Sequence, residues 1–401
     1  MTFFDPPEHV IHILRRLTEN GHAAFLVGGC VRDAVMARPV HDWDVTTSAA
    51  PVDVALLFPK TVITGEKFGT VTVVVPDGAI EVTTFRVEGE YLDGRRPRNV
   101  EFVPNLDEDL GRRDFTMNAM AVSVEGEFID LFGGIEDIRR RLIRCVGGPN
   151  TRFSEDALRM FRALRFSAQL GFEIEKETMS AVYANVDRAK LLSAERVRVE
   201  VEKTLMSHKP EIVGDMIKVG LLARYVETSG KVPDGVERIE DLPAETIMRW
   251  CALCAILLRG GFIASATDFL QKMRLDGKTA GICARAISMP CITDDRAGVK
   301  RLFYKNGVAA TRCAAAIQDV LQAGEDGADG RVTALDRAEE IIASGECFSL
   351  NKLAVSGSDL IGLGYSPGHE LGEKLDMLLE HVLENPRDNT RQTLLNMVSG
   401  G

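Results

Sequence analysis

The chain has 401 residues, which exceeds the usual size of one domain and predicts two to four domains. Hydrophobic residues make up 45% and charged residues 27%, an ordinary globular composition that argues against a disordered or collagen-like chain. The 59 acidic and 48 basic side chains give a formal net charge of −11. Any contact with nucleic acid must therefore come from local basic patches.

The sequence gives little indication of export or of cysteine chemistry. The N-terminus has no basic segment followed by an apolar run, and no apolar stretch approaches the ~20 residues that span a bilayer. The eight cysteines are scattered, and one CxxC pair, Cys251 and Cys254, lies in an apolar stretch without a nearby histidine. Buried core thiols are favoured over a redox or zinc site. These features predict a cytoplasmic protein.

The first 145 residues combine helix and strand patterns. An apolar strand runs into Gly28 and Gly29, and two β-branched stretches flank a Pro-Asp-Gly turn that is typical of a hairpin. We therefore expect a small mixed sheet with helices on one face. The predicted elements are a helix over 8–20, strands over 23–27, 42–46, 70–75 and 80–85, and a helix over 31–37.

From Ser154 onward the strand patterns nearly disappear, and Ala, Leu, Arg and Glu recur at helical spacing. This predicts that the rest of the chain is helical. A stretch of glycine and aspartate at 324–330 is typical of a linker and indicates a separate C-terminal unit. The predicted helices include 154–170, 175–187, 193–206, 209–219 and 243–259.

The segment 25–33 (FLVGGCVRD) places two glycines between an apolar strand and a helix. Backbone amides in such a turn can point at an anion, and glycine lets a phosphate approach closely. Arg32, one turn into the helix, could add a forked donor to phosphate oxygens. A plain structural turn is the alternative interpretation, and this segment alone does not decide between them.

A pair of aspartates follows in the segment 41–45 (HDWDV). On a strand, period-two alternation puts Asp42 and Asp44 on one face. Their repulsion is relieved when a divalent cation lies between them, and Mg²⁺ is held through one or two carboxylates plus substrate phosphates. Glu81, in another β-rich run, either supplies a third acid or points outward. A solvated strand edge is the alternative, although the glycine turn upstream favours a metal site.

Segments 28–33 and 42–44 together resemble the GGxVRD…DxD signature of class II tRNA nucleotidyltransferases and bacterial poly(A) polymerases. Further segments resemble the motifs of this family in the same order along the chain. These are RRDFTMNA at 112–119, DLFGGIED at 130–137, EDALR at 155–159 with RALRF at 162–166, and ERVRVE at 195–200. The departures are small, since Ala37 and Leu131 stand where family members usually carry glycine and proline.

The resemblance implies an α+β fold. A small mixed-sheet, polymerase β-like nucleotidyltransferase head is followed in this family by an all-helical neck, body and tail. On this basis we expect the head over 1–145 and a neck with a base-reading helix over 146–206. The helical body is then expected over 207–325, and the tail, which binds tRNA, over 326–401.

The activity implied by the resemblance is template-independent transfer of a nucleoside monophosphate from CTP or ATP to the 3′-hydroxyl of RNA. Phosphoryl transfer depends chiefly on positioning and on cancellation of charge. Asp42 and Asp44 are then expected to be catalytic and to hold two Mg²⁺ ions, which activate the attacking 3′-hydroxyl and neutralise the leaving pyrophosphate. Gly28, Gly29 and Arg32 are expected to hold the triphosphate.

The segment after Ser154 predicts the base-choosing element. Ser154 is a good N-cap for a helix that begins at the next residue. An acid at a helix N-terminus with solvated arginines is the alternative interpretation of the pattern. A polar ridge along this helix is formed by Asp156, Arg159, Arg162 and Arg165.

Nucleobase chemistry favours a reading role for this ridge. Cytosine and adenine both present an amino donor beside a ring-nitrogen acceptor, whereas uracil and guanine reverse the order. Asp156 as acceptor and Arg159 as donor therefore fit C and A and leave buried groups unpaired with U and G. The family reads its nucleotide in this way. Arg162 and Arg165 are expected to buttress Asp156 or to contact phosphate.

The resemblance also implies that Arg113 and Asp114 contact the nucleotide, through ribose or phosphate and through a ribose hydroxyl respectively. Arg112 is expected to be structural and Asn118 to lock the turn. The segment 88–97 resembles the flexible loop of the family, which enzymes that add only CC tend to have shortened. Its length here argues against a CC-only enzyme.

The expected partner is tRNA, bound at its acceptor arm and elbow through shape and backbone. We expect no membrane contact and no obligate protein partner. CCA addition is favoured, and an A-adding enzyme or a poly(A) polymerase are the close alternatives. A catalytically inactive RNA-binding protein and a nucleotidyltransferase that acts on a drug or a protein are the alternatives from other classes.

Overall fold

The computed structural model describes residues 5–65, 69–76, 78–88, 100–227, 230–293, 295–322 and 332–399. These residues form two compact units. The first contains the described residues up to Thr204 together with 215–224. The second contains 205–214, 225–227 and the described residues from 231 onward.

A mixed sheet forms the centre of the first unit. Within the described residues it has seven strands in the order β3-β4-β5-β2-β1-β8-β9, in which β2 and β5 are parallel and the other neighbours antiparallel. This confirms the predicted mixed sheet and hairpin. The strands are β1 Ala24–Val27, β2 Asp44–Thr47, β3 Thr61–Gly65, β4 Thr70–Val75, β5 Gly78–Thr84, β6 Arg86–Glu88, β7 Val100–Phe102, β8 Ala121–Ser123, β9 Phe128–Ile129, β10 Leu142–Ile143 and β11 Glu173–Ile174.

Short helices accompany the sheet, and longer ones follow it. Four apolar residues of the first helix, Val10, Ile13, Leu14 and Leu17, recur at i, i+3, i+4 and i+7 and are buried, which explains its amphipathic pattern. The helices before residue 219 are α1 Glu8–Glu19, α2 Gly29–Val35, α3 Pro51–Leu57, α4 Leu106–Gly111, α5 Gly134–Arg139, α6 Pro149–Glu155, α7 Leu158–Leu170, α8 Lys176–Asn185, α9 Ala194–Leu205 and α10 Ile212–Lys218.

The predicted strand over 42–46 is wrong at its start. Strand β2 begins at Asp44, and Asp42 lies before it. The register explains the difference, because Leu26 pairs with Val45 and the chain of β1 turns away at Gly28. No strand partner on that side continues far enough to pair with Asp42.

The predicted single helix over 154–170 is also wrong, and with it the N-cap role of Ser154. Helix α6 ends at Glu155, Asp156 is extended (φ −139°, ψ 106°), and α7 begins at Leu158. The carboxylate of Asp156 accepts the backbone amide of Leu158, a local bond that competes with continuation of the helix. Asp156 therefore lies in a break between two helices, rather than on the ridge of one.

The second unit is helical, as the sequence predicts. Helix α11 is buried along nearly its whole length, and Trp250 within it packs against Phe269. Helices α11, α13 and α15 pack against one another around this core. The helices are α11 Thr246–Arg259, α12 Ala266–Lys272, α13 Gly277–Ser288, α14 Arg296–Asn306, α15 Val308–Gln322, α16 Ala334–Ala343, α17 Gly357–Gly362, α18 His369–Glu384 and α19 Arg391–Ser399.

The CxxC pair belongs to the core of this unit. Cys251 and Cys254 are both buried, which confirms the interpretation as core thiols, and Sγ of Cys251 lies 2.7 Å from Sγ of Cys283. Among the described residues, no helix is long and apolar enough to cross a membrane. The cytoplasmic location stays a prediction.

The predicted boundaries of head, neck, body and tail also stay predictions. The glycine-rich linker at 324–330 and residues 89–97 of the segment that resembles the family's flexible loop lie outside the described residues. The functional residues that the sequence singled out all belong to the first unit.

Candidate active site

The glycine turn requires glycine for two reasons. Gly28, between β1 and α2, has a φ of +77°, which other residues rarely adopt. A Cβ atom on it would lie 3.2 Å from Nη1 of Arg113 and 3.7 Å from Oδ2 of Asp44. The α-carbon of Gly28 therefore lies close to both Arg113 and Asp44, which are predicted site residues.

Three acids gather at the start of β2. The parallel register places Glu81 of β5 opposite Asp44, as one of the two interpretations of Glu81 requires, and Asp42 lies two residues upstream. Asp44 reaches solvent, but the protein that surrounds its carboxylate removes part of its hydration. This desolvation raises the pKa of Asp44. The charge of Arg113 opposes this rise, and the charges of Glu81 and Asp42 add to it. The result is a concentration of negative charge at one edge of the sheet.

These acids do not form a closed metal cage. Among the described residues, no group of three or more His, Cys, Asp or Glu side chains converges as metal ligands. The donor set at Asp42 and Asp44 is made of carboxylate oxygens, which suit Mg²⁺. A Mg²⁺ ion held here would need further oxygens from substrate phosphates or water, which is the usual way proteins hold this ion.

Asp109 of α4 is the buried acid that organises this region, and the sequence interpretation missed it. It has no exposed surface. Its Oδ1 accepts hydrogen bonds from Nε and Nη2 of Arg112 at 2.9 and 2.8 Å. Its Oδ2 accepts a hydrogen bond from Nη2 of Arg113 at 3.0 Å. The same Oδ2 accepts the hydroxyl of Thr46 on β2 at 3.2 Å. Arg112 thus has the structural role expected for it.

Asp114 is held as an anion by a second set of contacts. Burial raises its pKa, but the charge of Arg162 and the bond from Asn118 lower it to about 2. Nε of Arg162 donates to Oδ2 at 2.6 Å, and Nδ2 of Asn118 and the amide of Phe115 donate to Oδ1. Oδ1 of Asn118 in turn accepts Nη1 of Arg32 at 2.8 Å. Asn118 therefore bonds within the turn, in agreement with its expected locking role, and it also joins the turn to helix α2.

Three guanidinium groups surround the ring of Phe166. Those of Arg32, Arg162 and Arg165 lie 5.1, 5.3 and 3.9 Å from its centroid. Cations are attracted to the face of an aromatic ring, so Phe166 helps to keep like charges together. Nε of Arg165 also donates to buried Glu200 at 2.5 Å. In this structure Arg162 and Arg165 bond to Asp114 and Glu200, and the charge of Asp156 also acts on Arg162. Their expected roles, to buttress Asp156 or to contact phosphate, stay predictions.

The buttress of Asp156 comes from a residue that the sequence interpretation did not assign. Nη2 of Arg196, on α9, donates to Oδ2 of Asp156 at 2.8 Å. Arg159 is buried on α7, where it donates to Glu155 and to the carbonyl of Arg112. The pair that is predicted to read the base is thus anchored on both sides.

Most of these groups line one cavity of about 730 Å³, whereas Asp109 and Glu200 support it from behind the lining. Glu81 does not line it. The cavity carries eight arginines and five aspartates, so it is a basic site on an acidic chain, as a phosphate ligand requires. The predicted site residues that line it are Gly28, Gly29, Arg32, Asp42, Asp44, Arg113, Asp114, Asp156, Arg159, Arg162 and Arg165.

Two missed residues had signals in the sequence. Asp109 stands three and four residues before Arg112 and Arg113 on a short helix, the spacing at which side chains on one helix face meet. For Arg196 the signal is its place in the ERVRVE motif. The motif does not reveal which distant residue Arg196 contacts.

Comparison with known proteins identifies the family. A model described as the Poly A polymerase head domain matches residues 24–144, and an RNA and SrmB-binding site of polymerase A matches 171–227. A model of tRNA nucleotidyltransferase domain 2 matches residues 245–398. The CCA-adding enzyme of Limosilactobacillus fermentum is 38% identical over 395 residues, which cover 96% of this chain and 94% of that protein. The chain belongs to the CCA-adding enzyme family.

Other members agree with this assignment. The CCA-adding enzyme of Bacillus velezensis is 45% identical over 282 residues, 69% of this chain and 70% of that protein. The crystal structure of the Bacillus stearothermophilus CCA-adding enzyme in complex with CTP matches with a TM-score of 0.74 at 33% identity, covering 96% of this chain and 94% of that one. The expected family and the α+β nucleotidyltransferase fold of the CCA-adding enzymes are confirmed.

Proposed function

We propose that this chain adds CCA to the 3′ end of tRNA from CTP and ATP without a template. The observation that carries the proposal is that one cavity is lined both by the acids at the start of β2 and by the donor–acceptor pair Asp156 and Arg159. The first group suits nucleotidyl transfer, and the second suits selection of C and A. Membership of the CCA-adding enzyme family supports the same activity.

Asp42 and Asp44 are the residues that would hold Mg²⁺, with Glu81 as a further acid opposite Asp44. When bound, one or two Mg²⁺ ions supply activation of the 3′-hydroxyl and charge cancellation at the pyrophosphate. The chain itself places the carboxylates within reach of Arg113, whose charge favours the ionised form of Asp44. Glycine at position 28 leaves the space beside Asp44 and Arg113 free of a side chain.

The triphosphate is held by the glycine turn and by arginines that line the cavity. The amide groups at Gly28 and Gly29 open helix α2, and Arg32, Arg113 and Arg162 line the same cavity. Asp114 remains ionised at neutral pH and acts only as an acceptor, which suits a ribose hydroxyl. The arginines thus bind phosphate, and Asp114 accepts a hydrogen bond from the ribose.

Base selection rests on Asp156 and Arg159. The carboxylate accepts the amino group that cytosine and adenine share, and the guanidinium donates to the adjacent ring nitrogen. A carbonyl of uracil or guanine facing Asp156 would place two acceptors together and leave both unpaired, which costs roughly 1–3 kcal/mol for each buried group. One site therefore serves both CTP and ATP.

We further propose that the helical neck, body and tail bind the acceptor arm and elbow of tRNA. Recognition of RNA through backbone and shape depends on phosphate contacts, so binding to this acidic chain should weaken steeply as salt is raised.

The test uses three tRNA transcripts, which end at the discriminator base, at C and at CC. Each is incubated with Mg²⁺ and CTP alone, ATP alone or both. Stepwise growth of the bare transcript to CCA is expected. Addition of a single A only to the CC-ended transcript would indicate an A-adding enzyme, long A tails a poly(A) polymerase, and no extension an inactive RNA-binding protein.

A further inference from the structure

Three consecutive exposed arginines stand at the end of helix α5. Arg139 is the last residue of the helix, Arg140 follows it, and Arg141 leads into strand β10. The side chains of Arg139 and Arg140 are 74% and 68% exposed, and Arg141 is exposed as well. The chain as a whole is acidic and repels a polyanion, so these residues, the arginine patch, form a local basic surface.

The acid beside the arginine patch neutralises it poorly. Glu136, one turn earlier on α5, lies 3.9 Å from both Arg139 and Arg140 and is itself 61% exposed. It is therefore one acid shared by two cations, through exposed contacts of the kind that contribute little. Among the described residues, no carboxylate pairs with Arg141. The patch thus keeps positive charge that is available to an external anion.

The backbone at Arg141 adopts a conformation that disfavours a side chain. Its φ is +54°, in the left-handed region, and the residue at this position after a helix is usually glycine. Its amide donates to the carbonyl of Ile138 at 3.0 Å, and its carbonyl accepts the amide of Glu173 at 2.9 Å, so the turn is held on both sides. The helix dipole favours cations in the last turn of α5, but it does not require a side chain at a left-handed position. An arginine where glycine would fit at lower cost indicates a use for its charge.

The arginine patch lies in the same compact unit as the cavity. Helix α5 packs against the short turn over 116–118, and Asn118 of that turn lines the cavity. Strand β10, directly after the patch, pairs with β11, which belongs to the predicted neck. The proposed function places tRNA on the neck. The patch therefore adjoins that surface and is one helix away from the wall of the cavity, within reach of a stem whose 3′ end lies inside.

We propose that Arg139, Arg140 and Arg141 bind backbone phosphates of the acceptor arm of the RNA substrate. The inference rests on the proposed function and adds to it a contact on the nucleotidyltransferase head. Guanidinium groups bind phosphate oxygens through forked pairs of hydrogen bonds. Such contacts fix the position of a nucleic acid without reading its sequence. The patch therefore acts on the affinity for RNA and not on the choice of nucleotide.

The first experiment measures binding of a CC-ended tRNA transcript at several salt concentrations, without nucleotide. The triple variant Arg139→Gln, Arg140→Gln and Arg141→Gln is expected to raise Kd roughly tenfold or more at ~0.1 M salt. The slope of log affinity against log salt should become shallower by about 2 to 3, because each lost phosphate contact removes nearly one unit. A minihelix made of the acceptor stem and T arm should lose as much affinity as tRNA. KM for CTP should not change.

A single exposed arginine elsewhere in the same unit supplies the control for charge. Arg15 lies on the exposed face of helix α1, which packs against β1 and α3. Arg140→Gln should make the salt slope shallower by about 1, whereas Arg15→Gln, which removes the same charge, should leave it unchanged.

Two further variants should have effects that a merely structural role would not produce. Arg141→Gly relieves the left-handed backbone, so the melting temperature should rise by about 1 to 3 °C while RNA affinity falls about threefold. Ala37→Gly relieves the same conformation without loss of charge, so it should raise the melting temperature and leave RNA affinity unchanged. Glu136→Gln removes the shared acid and should tighten RNA binding about twofold to threefold.

Unchanged affinity and salt slope in the triple variant would overturn the inference, and so would a loss with tRNA that the minihelix does not share. If the unaltered chain builds CCA and the triple variant binds and extends tRNA equally well, the inference alone fails. If the unaltered chain binds tRNA but adds no nucleotide, the proposed function fails, and a shallower slope in the triple variant still supports the patch as an RNA contact. No binding of tRNA by the unaltered chain would overturn both.

Discussion

Arg113 donates from Nη2 to Oδ2 of Asp109 across 3.0 Å, and that carboxylate has no exposed surface. The same oxygen accepts the hydroxyl of Thr46, two residues beyond Asp44 on β2. The other amino group of Arg113, Nη1, lies 3.2 Å from the position that a Cβ atom on Gly28 would take. One buried acid therefore connects Arg113, which lies beside the glycine turn, to the strand that carries Asp44.

Asp109→Asn should remove this connection. It leaves two guanidinium groups without their buried counter-charge, so a loss of about 3 kcal/mol in the free energy of unfolding is expected. We also expect KM for CTP to rise at least tenfold, because Arg113 is no longer aimed at the cavity. Asp137→Asn is the control, since Asp137 is a buried partner of Arg144 that does not line the cavity. Equal KM changes in both variants would contradict the positioning of Arg113 by Asp109.

Gly28→Ala tests the tight approach at the turn. The positive φ should destabilise the chain by about 1 kcal/mol, and the Cβ atom would push against Arg113. Misplacement of catalytic groups by about 1 Å can lower a rate about 100-fold, so the smaller displacement of Arg113 that this contact requires should lower kcat roughly tenfold. Gly126→Ala is matched in strain, because Gly126 has a φ of +86° but open space around it. It should share the loss of stability and retain activity.

Asp114 should make the stability of the chain depend on pH in the acid range. Although burial raises its pKa, the charge of Arg162 and the bond from Asn118 hold it at about 2, below the ordinary 3.8. The stabilisation, about 2 kcal/mol, is therefore complete above pH 3.8 and is lost as pH falls towards 2. Melting temperatures measured between pH 5 and 2 should fall more steeply for the unaltered chain than for Asp114→Asn. Parallel curves would contradict this.

Ala37→Gly should stabilise the protein. Ala37 follows helix α2 with a φ of +52°, a left-handed conformation that disfavours a side chain and that glycine adopts readily at helix ends. A gain of about 0.5 to 1 kcal/mol is expected, visible as a rise of about 1 to 3 °C in melting temperature. Ala34→Gly, inside the same helix, should instead lower it.

The sequence predicts much of the first unit because its signals are local. The apolar run before Gly28, the β-branched hairpin and the acids of the DxD segment each need only a few neighbouring residues. The break at Asp156 was missed because the helical spacing of the arginines continues across it, and the competing bond from its carboxylate to Leu158 has no pattern of its own.

Contacts between residues that are distant along the chain could not be predicted from the sequence either. The distances along the chain between Asp156 and Arg196, and between Arg165 and Glu200, are 40 and 35 residues. Motif order placed all four residues near the site, yet it could not pair them. The bond from Arg196 to Asp156 is a contact between distant parts of the chain, which spacing within one helix does not reveal.

The proposed nucleotidyl transfer depends most on the two aspartates at the start of β2. The most direct test measures transfer of labelled CMP to a bare tRNA transcript by the double variant Asp42→Asn and Asp44→Asn, in the presence of Mg²⁺. The variant should keep a melting temperature close to that of the unaltered chain, because both side chains reach solvent. Transfer should fall below detection. A variant that folds and still extends the transcript at a comparable rate would contradict catalysis by Asp42 and Asp44.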